Sequence, residues 1–386
     1  MQVAEFFLSL AILLFTAKLM GEFFERIGLS SLVGEISAGI LIGPMLGIIT
    51  PSENLKLITD FGILFMLFLI GIGTKFDEIK NNVYVGSALA AAGCLLAAAA
   101  GFIVGYVFFS IAEGIILGVA VLSTSTAITL RALSDAGEFQ TKSYKLALAI
   151  DIADEVIAIL SLALLTTYFT IGSVKIWEIV SLFFAVLGFF FFIVTAGSRI
   201  TGRFLSLFQT MRDEQIMVAM PLVVLFLIAF VSEHVGIAAV TGAFLAGVAL
   251  NKSPLIEPVV MPKVKVIAYG LFVPMFFAYS AIMLDLGAIM IYLPAIAGLT
   301  VLVSAGKFIG CGLLAGRFGY NSHEQQIVGV GMIPHGEYSI VIAQLALLAG
   351  YIKIELYTVI ISFVVLSIII TPILLKILRV SPKRKF

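Results

Sequence analysis

The chain has 386 residues, 61% hydrophobic and 12% charged, with a mean hydropathy of +1.17. Those values exclude a soluble globular domain and leave a polytopic membrane protein. Its 23 basic and 23 acidic side chains cancel and form no basic patch, which excludes nucleic acid as a partner, since phosphate neutralisation needs an excess of Lys and Arg.

In chain order, apolar stretches long enough to cross a bilayer are separated by short polar or Gly/Pro breaks. They predict an all-α fold of about thirteen transmembrane helices, over 4–24, 30–48, 54–73, 83–109, 113–133, 143–169, 176–196, 213–231, 236–250, 264–283, 288–316, 323–348 and 354–378. The first stretch has no basic n-region or cleavage site and reads as a retained span. Cys94 and Cys311 fall in apolar stretches without a CxxC pattern or His company, so they read as packing residues with neither disulfide nor metal chemistry. The loop 198–213 carries Arg199, Arg203 and Arg212 and reads as a hinge between two halves, 1–200 and 213–386, of a single membrane domain covering 1–386, with no soluble regulatory domain.

Charge distribution orients the spans. With the C-terminus inside, inside connections hold 17 Lys and Arg against 3 outside, namely Lys56, Lys175 and Lys353. By the positive-inside rule an odd number of spans with the N-terminus outside fits.

The sixth stretch carries Asp151, Asp154 and Glu155 near its middle. A charged side chain at the bilayer centre costs at least about 2.5–3.5 kcal/mol, so unpaired acids there demand a function. At about 100° per residue, Asp154 and Glu155 lie roughly 40–60° either side of Asp151, and the three share one arc lining one wet cavity. Lys307 is the other intramembrane charge. It lies about 14 Å from the end of its stretch, too far to snorkel easily, so a buried ion pair is expected, with Asp154 as partner.

Stretches five and twelve are interrupted by Ser123-Thr124-Ser125-Thr126 and by Pro334-His335-Gly336-Glu337. A membrane hydroxyl often only bonds back to the carbonyl one turn earlier, and Glu337 is equally readable as a helix cap. Four consecutive hydroxyls, and a Pro with a Gly two residues on, point further, to unwound turns whose freed carbonyls and hydroxyls coordinate a cation. The two stretches are seven spans apart in order, with six between them, so they run oppositely, the pattern of inverted repeats with two crossing broken helices.

The motifs Gly34-Glu35-Ile36-Ser37-Ala38-Gly39 through Gly43-Pro44, Phe61-Gly62-Ile63-Leu64 through Gly71, the Ser-Thr turn with Ile128-Thr129, the acid pair, Lys307, and Gly331-Met332-Ile333-Pro334-His335-Gly336-Glu337 together resemble the monovalent cation:proton antiporter-2 family of prokaryotic sodium/proton antiporters. The resemblance spans essentially the whole chain. It implies a mobile core domain and a dimerisation domain, a homodimer in the prokaryotic inner membrane, and elevator-like exchange of a monovalent cation, Na⁺ before Li⁺ or K⁺, for protons, with no cofactor. It also implies that Asp154 pairs with Lys307 while Glu155 carries the cation or proton, so that these two acids are the metal ligands, with the hydroxyls of Ser123, Thr124, Ser125 and Thr126 around Glu155 and Asp151, Pro334, His335 and Glu337 in support. Asp151, one turn toward the cytoplasm, is expected in an inward-facing vestibule or as a solvated pore-lining group.

Two positions depart from the family pattern: Glu155 stands where the second acid is Asp, and His335 where an Arg commonly precedes Gly-Glu. The first displaces a carboxylate by roughly 1.5 Å, and the second brings an imidazole near the site. A potassium efflux system is the alternative reading. It is disfavoured by a chain ending at Phe386 without a nucleotide-binding domain and by its own Asp-Glu acid motif. An intramembrane protease, the remote alternative, lacks acids paired on two separate helices, and the chain is therefore not expected to be an enzyme.

Overall fold

The computed structural model describes residues 3–74, 82–171, 215–234, 238–251 and 256–380, with isolated positions between 184 and 199. Apart from those isolated positions, the seventh expected span, the hinge loop 198–213 and the basic tail after residue 380 lie outside the described residues. What is described is helical, and every long helix is apolar.

The helices in order are α1 (Val3–Arg26), α2 (Ser31–Ile40), α3 (Glu53–Gly73), α4 (Val83–Phe108), α5 (Ile111–Ala120), α6 (Thr126–Asp135), α7 (Lys142–Ile171), α8 (Ile216–His234) and α9 (Ala239–Asn251). They continue with α10 (Met261–Ile267), α11 (Val273–Ile282), α12 (Leu286–Ile291), α13 (Leu293–Lys307), α14 (Ser322–Gly331), α15 (Glu337–Leu348) and α16 (Ile354–Val380). Among the described residues seven helical runs are long and apolar enough to cross a membrane alone. Expected and observed ends agree within three residues for most spans. The tenth starts earlier, because a π-helical turn at Ile256–Val260 and Pro262 near the start of α10 extend it toward the N-terminus.

Helix ends follow local chemistry. Ser110 caps α5 by accepting from Glu113 N at 3.2 Å, and Ser52 does the same for α3 from Leu55 N. Asn321 and Glu324 form a reciprocal capping box at the start of α14. The eleventh span does not run as one α-helix: beyond Lys307 it passes through a π-helical turn, Phe308–Gly312, and a 3-10 turn, Leu313–Phe318, ending at Gly319 with φ +82°. Gly306, Gly310, Gly312 and Gly316 in that stretch lower its α-helical propensity.

The chain forms two compact units, each assembled from three separate segments. The first comprises Met1–Lys18, Ala38–Lys75 and Ile159–Ile282. Its centre is the contact of α3 with α9, where Gly71 meets the carbonyl of Phe244 and Gly247 that of Phe68, distances only a residue without Cβ allows. Asn251 closes the contact by donating its amide to the carbonyls of Ile72 and Thr74.

The second unit comprises Leu19–Ser37, Phe76–Ala158 and Met283–Phe386. Here α4 packs on α5 and α13, and an apolar cluster including Leu89, Leu133, Leu146, Ile150, Val328 and Met332 fills the interior. Both interrupted spans lie in this unit.

Candidate ion-binding site

Each interrupted span is two short helices joined by an unwound turn: α5 and α6 around 121–125, α14 and α15 around 332–336. Thr126, placed in the interruption by the sequence, is instead the first residue of α6. The turns meet directly, Ser125 N donating to Pro334 O at 2.9 Å. Gly336 permits the approach, since a Cβ there would lie 2.9 Å from that of Ser125. A second tie runs from Thr129 Oγ1 to Gly331 O at 2.9 Å.

Against this crossing lies the acid-bearing part of α7. Lys307 and Asp154 are 0% and 1% exposed at their side chains and pair at 3.1 Å, the ammonium spanning both carboxylate oxygens. Asp154 also accepts from Thr124 N and Thr124 Oγ1, both at 2.6 Å to Oδ2, and from Cys94 Sγ at Oδ1. A buried charge so surrounded by donors is compensated, as a group with no water to solvate it must be. Gly93 makes room for Cys311 Sγ beside the lysine stem, because a Cβ there would collide with that sulfur.

The hydroxyls do not gather on Glu155. Thr126 donates to Glu155 Oε1 at 2.8 Å, Ser125 to Glu337 Oε2 at 2.7 Å, Thr124 to Asp154, and Ser123 to the Thr124 carbonyl at 3.3 Å. Successive side chains of an extended turn point to different sides, so four consecutive hydroxyls serve four carboxylates, Asp151 included, and a carbonyl. The separation of roles expected for the adjacent acids is likewise incomplete: Asp154 faces both Lys307 and the crossing. Glu337 opens α15, where a carboxylate suits the positive end of the helix dipole.

Asp151 is 0% exposed and contacts Thr124 Oγ1 at 3.1 Å through Oδ1, while Oδ2 has no hydrogen-bond partner among the described residues. The vestibule or solvated position expected for it is not what the structure shows, because the unwound turn packs over the face that Asp151 shares with Asp154. Glu155 is buried as well, at 5% exposed. Pro334 supplies the carbonyl that meets Ser125, and His335 is fully buried between the two turns.

Cys94 belongs to the site although its sequence context gave no sign of it. Only a contact between α4 and α7 brings the thiol to Asp154, and no spacing along the chain encodes that. Tyr338, next to Glu337 in the chain, has a buried hydroxyl with no hydrogen-bond partner among the described residues.

Two broken helices crossing beside a buried lysine–carboxylate pair, within an all-helical apolar fold, define a polytopic membrane protein built to hold a charge inside the bilayer. The chain matches the family model "Sodium/hydrogen exchanger, transmembrane" over residues 11–380 and belongs to that family. It is 30% identical over 374 residues to the Na(+)/H(+)-K(+) antiporter GerN of Bacillus cereus, covering 96% of each chain. It is 31% identical over 373 residues to the probable Na(+)/H(+) antiporter GerT of the same organism, covering 96% of this chain and 98% of that one. In fold it is similar to the sodium proton antiporter MjNhaP1 from Methanocaldococcus jannaschii at pH 8, with a TM-score of 0.74 at 15% identity over 99% of both chains.

Proposed function

We propose that this protein exchanges Na⁺ for protons across a prokaryotic plasma membrane. The observation that carries the reading is the Lys307–Asp154 pair held against the crossing of two broken helices in a chain of the sodium/hydrogen exchanger family. Glu155 is the carrier. Burial penalises its charged form, so the carboxylate takes either a proton or a cation, and an empty charged site resists crossing the bilayer. Thr126 and the freed backbone of the turns supply the hard oxygen ligands that a small alkali cation needs in place of water. Asp154, satisfied by Lys307 and Thr124, supplies fixed geometry and a charge that a change of partner can release.

The remaining features of this reading follow from the resemblance, from the distribution of Lys and Arg and from the opposite run of the two interrupted spans. Alternating access is elevator-like, the assembly is a homodimer, the N-terminus lies outside and the C-terminus in the cytoplasm. The two halves, 1–200 and 213–386, form inverted repeats in one membrane domain. The protein is a carrier without catalytic chemistry or a resident cofactor, Na⁺ and H⁺ being its cargo.

The test is cation-dependent proton flux in proteoliposomes, with Na⁺, Li⁺ and K⁺ each added with and without a valinomycin clamp. Na⁺-dependent proton release is expected. Flux driven by K⁺ alone favours the efflux-system reading, and K⁺ belongs in the scan because it stands in the name of GerN. Absence of flux with all three ions overturns the proposal.

A further inference from the structure

Tyr338 is the second residue of α15, directly after the unwound turn. Its side chain is 2% exposed, and its hydroxyl is buried with no hydrogen-bond partner among the described residues. A buried phenol ordinarily finds a partner, because an unpaired hydroxyl without water is costly. Four other hydroxyls among the described residues share that condition, on Ser232, Thr241, Ser304 and Ser339. Each of those sits close to its own helix, where the carbonyl one turn back is within reach of a rotamer change. Tyr338 has no such recourse, since its oxygen stands at the far end of a rigid ring.

The charged groups around that oxygen are all of one sign. Glu155 acts on it most strongly, then Glu337 and Asp154, and no cationic side chain is among them. Two of the three are already engaged: Asp154 is paired with Lys307 and Thr124, and Glu337 accepts from Ser125 at 2.7 Å. Glu155, the carrier, accepts from Thr126 at 2.8 Å. It is thus approached by a hydroxyl from each broken helix, Thr126 on α6 and Tyr338 on α15.

We propose that Tyr338 is a specificity-determining cation ligand, whose neutral hydroxyl oxygen enters the shell of the ion held by Glu155 together with that of Thr126. A phenol oxygen can turn a lone pair to a cation and keep its proton for a carboxylate, so one group serves both the ion and the acids around it. The ring is rigid and packed, which fixes the place of the oxygen and keeps the shell from widening freely around a larger ion. Na⁺ is therefore favoured over K⁺. Because the carrier comes from α7 and this ligand from α15, the bound ion also ties the second broken helix to the acid-bearing helix.

This inference rests on the antiport reading for the identity of the ion, and the experiment separates the two. Thermal unfolding of the protein in lipid nanodiscs is followed in alkaline buffer, where proton competition is weakest, as Na⁺ or K⁺ replaces a bulky organic cation. An ion that binds only the folded state raises the unfolding temperature in proportion to its occupancy of the site. Without added Na⁺ or K⁺, Tyr338→Phe should unfold no earlier than the parent, since it gives up no bond within the protein. The Na⁺ concentration needed for a given stabilisation should rise at least about 10-fold through loss of a ligand to a charged group, and the preference for Na⁺ over K⁺ should narrow. An unchanged Na⁺ requirement or an unchanged preference overturns the proposal. So does a variant that misfolds or unfolds earlier without added ion, which would mean that the hydroxyl is bonded within the protein, and so does a parent that neither ion stabilises. Stabilisation by Na⁺ that depends on Tyr338, in a protein that shows no proton flux in proteoliposomes, would refute antiport and leave the ligand assignment standing.

Discussion

The α3–α9 contact of the first unit and the crossing of the second are both places where backbones come unusually close, yet they are built on opposite principles. At α3–α9, Gly71 and Gly247 bring two unbroken helices together and every turn keeps its own hydrogen bonds. At the crossing the helices stop, and their ends are satisfied by side chains and by each other. Close packing in lipid needs only small residues, whereas holding an ion needs backbone taken out of the helix. The first region therefore carries stability and the second carries chemistry.

The largest effect expected from that division is on transport. Glu155→Gln should abolish cation-coupled proton flux while the protein still unfolds at a normal temperature, because an amide neither holds the proton nor balances the cation. Asp154→Asn should be milder, removing chiefly the partner of Lys307. Both variants belong in one proteoliposome assay, and robust exchange by Glu155→Gln beside a dead Asp154→Asn would reverse the assignment of roles.

Next comes the buried pair. Lys307→Ala leaves Asp154 uncompensated and should cost about 3–5 kcal/mol. Adding Asp154→Asn should recover part of it. Thermal unfolding of the two single variants and the double variant measures the coupling, and strictly additive losses would mean that the contact at 3.1 Å does not act as a pair.

A smaller and purely structural loss is expected at the other region. Gly71→Ala places a methyl against the carbonyl of Phe244, an overpacking that should cost about 1–3 kcal/mol. Its apparent cation affinity should match that of the parent. A shift in affinity rather than in melting temperature would erase the distinction between the regions. The smallest effect belongs to Cys94→Ala, which removes one weak donor from a carboxylate that keeps Lys307 and Thr124; about 1 kcal/mol is expected in a thermal melt, with Cys94→Ser closer to the parent.

What the sequence determined by itself is whatever depends on composition and local pattern. Apolar run length locates the spans, because a bilayer demands about 20 apolar residues whatever the fold. The cost of buried charge singles out Asp151, Asp154, Glu155 and Lys307, and Pro334 with Gly336 announces a break because neither suits a helix interior. Tertiary structure alone decided how these pieces meet. Hydroxyls 123–126 are one run in the sequence but are shared among Asp151, Asp154, Glu337 and Glu155 by the direction in which each points from an unwound turn. Cys94 and His335 acquire their partners from helices distant in the chain, since a side chain's neighbours across a packed interface depend on the approach of two backbones. No periodicity within either segment records that approach.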